Sequence, residues 1–176
     1  ADASFFAMDL PGYGDSVAPA ELTLEPVLEC IANAIRQAPS GDITLVGNCG
    51  GAQLGLETLR VYGLNVPRVL LIDPFAYCPW YFRLFTWGTF GRNAYYTTFA
   101  NPLGRFITNN ALRKRRRPET NLTSAFVKVD HAVAHRYLCL MLTLADSRRF
   151  KSLQVDVDIV HGDRTFAAVR RSLDIW

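Results

Sequence analysis

The aliphatic run Ile43-Thr44-Leu45-Val46 passes through Gly47-Asn48-Cys49-Gly50-Gly51 and leads straight into a helical pattern that starts at Gln53. A short continuous apolar run has the outline of a buried strand. A helix that follows with no loop between requires a sharp reversal, and side chains beside such an apex crowd the backbone. Glycines two positions before and after the apex relieve that crowding, and Gly47 and Gly51 stand there. Cys49 is therefore expected as a thiol held at the end of a strand and the start of a helix, where the macrodipole favours a thiolate. The plainer alternative is a buried structural cysteine.

Three further runs read as strands, at residues 4–9, 69–73 and 155–161, and continuous apolar runs of this kind suit a parallel sheet covered by helices. Between them Leu24, Val27, Leu28, Ile31 and Ile35 recur on one helical face, with Thr23 placed as N-cap and Pro26 tolerated in the first turn. A second helix over residues 53–62 is stopped by Gly63. Alternating strand and helix predict an α/β domain. From Pro74 to Phe150 the alternation breaks, and twelve of the twenty-one aromatic residues fall between Phe75 and Phe106. A segment that long between two sheet strands needs its own core. The expected organisation is residues 1–74 and 151–176 as core and 75–150 as a helical, aromatic-rich cap, with a long helix over 131–150.

Composition narrows the function. The 176 residues are 49% hydrophobic, which excludes a disordered tail. The net charge of +3 depends on one run, residues 113–117, without which the balance is negative, so no domain-wide footprint for nucleic acid is present. That run is read as a solvated face. Cys30, Cys49, Cys78 and Cys139 form no C-x-x-C pair, which points away from a metal site or disulfide frame and toward a reducing, cytoplasmic setting. The most apolar stretch, residues 69–90, carries Asp73, Pro74, Pro79 and Arg83 and is not a membrane span. Asn121-Leu122-Thr123 is read as a chance sequon. His131 and His135 share a helix face, but no third ligand completes a metal site, and no cofactor is expected.

Gly47-Asn48-Cys49-Gly50-Gly51 resembles the nucleophile elbow of the α/β-hydrolase superfamily, G-x-[Ser/Cys/Asp]-x-G, and two other features fall in that family's order. Asp9-Leu10-Pro11-Gly12-Tyr13-Gly14-Asp15-Ser16 is similar to the turn after its fourth strand, a mainly structural loop. Residues 155–160 followed by His161-Gly162-Asp163-Arg164-Thr165 resemble the strand and turn that present the triad acid. The resemblance implies a partial α/β-hydrolase fold, mostly parallel, with helices on both faces and a cap insertion. It implies attack by Cys49 on an ester, thioester or lactone carbonyl of a small acyl substrate, with the Gly50 N–H in the oxyanion hole. The acid is Asp163, one residue after Gly162 where the family spacing reaches Thr165, or Asp73 at the end of the preceding strand. The cysteine is similar to that of dienelactone hydrolases and polyhydroxyalkanoate synthases, so acyl transfer is one alternative. An inactive binding domain is another.

The same resemblance implies a fragment lacking the first strands and the segment that bears the histidine. The family's third strand lies between its fourth and fifth. Residues 4–9 are therefore expected either to pair directly with residues 43–47 or to leave the sheet with exposed edges.

Overall fold

The computed structural model describes residues 4–39, 42–113, 121 and 123–176. Most of the basic run (residues 114–117) and Leu122 of the sequon lie outside them. Three parallel strands, β1 (Thr44–Asn48), β2 (Arg68–Ile72) and β3 (Asp156–Val160), form a sheet in the order β1-β2-β3. The register sets Asn48 beside Ile72 and Ile72 beside Val160, so the carboxyl ends of all three strands are level.

Helix α1 (Leu24–Gln37) precedes β1, and α2 (Gly50–Tyr62) joins β1 to β2. Thr23 occupies the N-cap of α1 but its side chain makes no capping bond, whereas Gly63 ends α2 in the left-handed conformation expected of it. Ala52, Leu56 and Leu59 of α2 pack with Val69 and Leu71 of β2 and with Phe150 to form the main core. Leu54, on the opposite side of α2, meets Val27, Leu28 and Ile31 of α1 and Tyr137. Helix α2 is thus buried on nearly every side, including the polar Gln53, Glu57 and Thr58, as a helix packed between a sheet and another helix is.

Between β2 and β3 come α3 (Trp80–Thr86), α4 (Gly88–Tyr95), a π-helical turn (Tyr96–Ala100), α5 (Pro102–Ala111) and α6 (His131–Leu144). Helix α6 is shorter than the helix expected over residues 131–150. It stops at Leu144 because the Asp146 carboxylate accepts the Arg148 N–H at 3.1 Å and starts a separate 3-10 turn, Ser147–Phe150. After β3, α7 (Ala167–Leu173) packs Ala168 and Val169 against Phe75.

The strand expected at residues 4–9 does not form. These residues are irregular, with Phe5 92% exposed, and β1 is left as an edge on which Thr44, Val46 and Asn48 face solvent. An apolar run becomes a strand only when a neighbour accepts its backbone hydrogen bonds, and this run lies beside none. The turn that follows is nevertheless well built. Gly12 and Gly14 take positive φ, the Gly12 N–H donates to Ser16 O, and the Tyr137 hydroxyl of α6 donates to Pro11 O at 3.0 Å.

Candidate active site at the strand ends

Cys49 stands at the apex between β1 and α2 with φ 50° and ψ −113°, a conformation that costs an L-residue energy and persists only where the surroundings impose it. Here they are identifiable. The Cys49 N–H donates to Ile72 O at 2.8 Å, and the Cys49 carbonyl accepts the Ala52 N–H at 3.2 Å. Gly47 is required as expected, since a Cβ there would lie 2.5 Å from the Ala52 Cα. Gly51 is not. A Cβ on it would meet nothing within 4 Å, so the crowding at this elbow is one-sided.

The next residue beyond each level strand end is Cys49, Asp73 and His161 respectively. Asp73 also takes a positive φ, 48°, its N–H donates to Val160 O at 2.9 Å, and its Oδ1 accepts the Gly162 N–H at 3.2 Å. Two strained residues therefore sit side by side on neighbouring strands, each fixed by a bond to the strand beyond. Asp163, the other candidate acid, is exposed in the turn after His161.

The surroundings of the thiol work against the expected thiolate. Cys49 is exposed as a residue, but the protein massed around the turn desolvates its sulfur and raises the thiol pKa above its ordinary value. The Gly50 N–H pulls the pKa down, as a helix N-terminus should, and the nearby Asp73 carboxylate pushes it up. Desolvation and Asp73 together prevail over the amide, so Cys49 is less acidic than a free thiol.

Helix α6 supplies a contact that the sequence did not signal. Gly50 is buried, and a Cβ on it would occupy the position of Met141 Sδ and Cε. Met141 thus lies directly against the residue whose N–H follows the apex. The three histidines hydrogen-bond elsewhere. His131 Nδ1 is 3.5 Å from the Tyr95 hydroxyl, His135 Nε2 is 2.9 Å from Phe85 O, and His161 Nδ1 is 3.2 Å from Gly162 O. His131 and His135 instead join an aromatic cluster centred on Tyr95. Among the described residues no three His, Cys, Asp or Glu side chains are grouped to hold a metal ion.

A family model described as the alpha/beta hydrolase family matches residues 1–174. Among solved structures, an esterase from Exiguobacterium antarcticum superposes with a TM-score of 0.65 at 19% identity, over 95% of this chain and 66% of that one. A lipase-esterase related protein from Clostridium acetobutylicum gives a TM-score of 0.62 at 16% identity, over 95% and 67%. At these identities the likeness is one of fold. The chain spans just under two thirds of the Exiguobacterium esterase, with its 66% coverage. No curated protein matches it in sequence.

Proposed function

The chain belongs to the α/β hydrolase family, and from that premise we propose that Cys49 is the nucleophile of an acyl hydrolase or acyltransferase acting on an ester, thioester or lactone carbonyl. The observation that carries this reading is the strained apex. A positive φ at a non-glycine residue, held by hydrogen bonds at the end of a strand, is how a fold presents one side chain to a reacting group.

The Cys49 thiolate attacks the carbonyl carbon, forming a C–S bond. The carbonyl electron pair moves to oxygen, where the Gly50 N–H is one donor to the oxyanion. Collapse breaks the bond to the alkoxide or thiolate leaving group, which takes up from water a proton equal to the one the thiol released to water on ionising, and leaves an acyl-cysteine. Water then adds to the thioester, releases the carboxylic acid and restores the thiol. In this reading Asp73, one strand from Cys49 and bonded to the Gly162 N–H, orients a base, and Asp163 in the next turn is the alternative. Residues 75–150 act as the cap, a reading supported by the contact of Met141 with Gly50.

A second reading, a family fold that binds acyl compounds without turnover, is favoured by the raised thiol pKa and by the engagement of all three histidines away from Cys49. Incubation with a p-nitrophenyl ester and a short-chain acyl thioester, followed by peptide mass spectrometry, separates the two. The nucleophile reading expects an acyl group on Cys49 and none on Cys30, Cys78 or Cys139. A folded protein whose Cys49 acylates no faster than Cys139 refutes it.

A further inference from the structure

The segment between β2 and β3 has an unusual charge balance. Residues 74–118 contain eight of the chain's nineteen basic residues and none of its sixteen acidic ones. On the described part of this segment large apolar side chains face solvent. Trp80 and Trp87 are each 76% exposed and Phe90 is 65% exposed. Trp80 and Leu84, four residues apart, share one face of α3, and Trp87 follows at the non-helical junction between α3 and α4. Two shallow depressions meet at Trp87, one lined by Trp80, Arg83, Leu84, Thr86 and Trp87, the other by Trp87, Gly88, Thr89 and Phe90. The α3–α4 face is therefore one continuous apolar strip with an arginine in its wall. Helix α5 repeats the composition, with Leu103, Phe106 and Ile107 exposed along one side.

Contiguous exposed apolar surface marks a docking site, and its surroundings select the occupant. Tryptophan belongs at the boundary between headgroups and acyl chains, where its ring is apolar and its N–H remains wet. Arginines with no carboxylate among them suit the negative potential of anionic lipid. Exposed Leu84, Leu103 and Ile107 gain from hydrocarbon and give a nucleic acid nothing, whereas the exposed rings of Trp80, Trp87, Phe90 and Phe106 suit either, so the aliphatic residues favour lipid. Among the described residues no helix is long and apolar enough to cross a bilayer, so the contact is with the surface. We propose that the α3–α4 face docks on anionic membrane surfaces, with Trp80 and Trp87 entering the headgroup boundary and Arg83 meeting lipid phosphates. The same face connects to the elbow, because His135 of α6 bonds Phe85 O of α3 while Met141 of α6 lies on Gly50. Docking itself does not depend on the chemistry of Cys49.

The test is co-sedimentation of the 176-residue chain with vesicles of phosphatidylcholine alone and of phosphatidylcholine mixed with phosphatidylserine, with tryptophan emission recorded in parallel. The expected result is binding to the anionic vesicles only, weakening as salt is raised, with a blue shift in emission. Trp176, the third tryptophan, stacks on Phe150 at 6.0 Å, so the shift reports Trp80 and Trp87. The W80A/W87A variant should lose at least about tenfold in vesicle affinity. Both side chains are exposed, so its thermal unfolding should match the parent, and R83E offers a second variant with the same expected loss. Equal sedimentation of parent and W80A/W87A overturns the proposal. So does binding to single-stranded oligonucleotides without binding to vesicles, or a dimer in sedimentation velocity that dissociates when Trp87 is replaced.

Discussion

The ion cluster that anchors α2 supports a quantitative prediction. Glu57 is buried, with 1% of its surface exposed, and its carboxylate receives a fork from Arg60 (Nη2 to Oε1, 2.7 Å; Nε to Oε2, 2.9 Å) and Nη2 of Arg149 at 2.5 Å. Burial alone would raise the carboxyl pKa. The hydrogen bonds and positive charges of the two arginines more than offset it, and the net shift is downward. Replacing Arg149 by Met removes its bonds to Glu57 and to Thr143 O and keeps the apolar stem. Because the Arg60 fork still holds both oxygens, the cost is about 1–2 kcal/mol. Replacing both arginines strands a buried carboxylate, and the cost at neutral pH is about 3–5 kcal/mol, more than the sum of the singles. For a domain of this length that lowers Tm by roughly 6–20 °C. The pH dependence also changes sign. In the parent, Glu57 contributes stability that is present above its unfolded-state pKa and lost as pH falls through the depressed folded one. In the double variant burial acts unopposed and raises the folded pKa, so acidification from about pH 7 toward about pH 5 relieves the penalty. Urea unfolding at both pH values, followed by far-UV circular dichroism, measures this. A double variant no worse than its singles combined, with a deficit that does not shrink in acid, refutes the reasoning.

Two further predictions concern the elbow. Asp73→Asn removes the charge that opposes ionisation of Cys49, so iodoacetamide should label Cys49 several-fold faster at neutral pH, with Cys30 and Cys139 as internal references; an unchanged or slower rate means that Asp73 does not act on the thiol. Gly47→Ala forces a methyl group into the α2 backbone and should destabilise by about 1–3 kcal/mol. Gly51→Ala meets open space inside a helix and should be neutral, or stabilising by up to about 1 kcal/mol; equal Tm losses in the two variants would show that the crowding is not one-sided.

Much of this architecture was legible because it follows from local pattern. The runs that became β1, β2 and β3 and the periodicity of α1 and α2 each record burial in a single stretch of chain. Residues 4–9 carry the same kind of run and fail, since whether a strand exists depends on a neighbour that a local reading does not supply. Helix α6 ends short of the expected residue 150, and Asp146-Ser147 carries the sequence signature of the new cap that stops it. At the site, Gly47 and Cys49 were readable from the motif. The adjacency of Asp73 to Cys49 was not, because it depends on β2 lying between β1 and β3 in level register. The position of Met141 has no sequence signal.

The ionisation of Cys49 is separate from its presentation, although one motif carries both. The presentation of Cys49 is the work of the backbone: Ile72 O holds its amide, the close fit of Gly47 to Ala52 sets the turn, and Val160 O holds Asp73 in the matching strained position one strand away. None of these depends on protonation. The acidity of the thiol is decided by side chains and solvent, where one favourable amide meets desolvation and a neighbouring carboxylate. A helix N-terminus contributes a bounded stabilisation that falls off within its first turn, whereas the other two effects grow with the enclosure that a site needs to exclude water. An elbow whose sulfur is desolvated beside an aspartate therefore raises its own thiol's pKa unless a cation is placed between them. That is the position an imidazolium takes in a nucleophile-base-acid arrangement, where the carboxylate stabilises the cation and the cation in turn stabilises the thiolate. On this argument Asp73 opposes ionisation of Cys49 when the space between them is empty of charge, and assists it when a protonated base stands there.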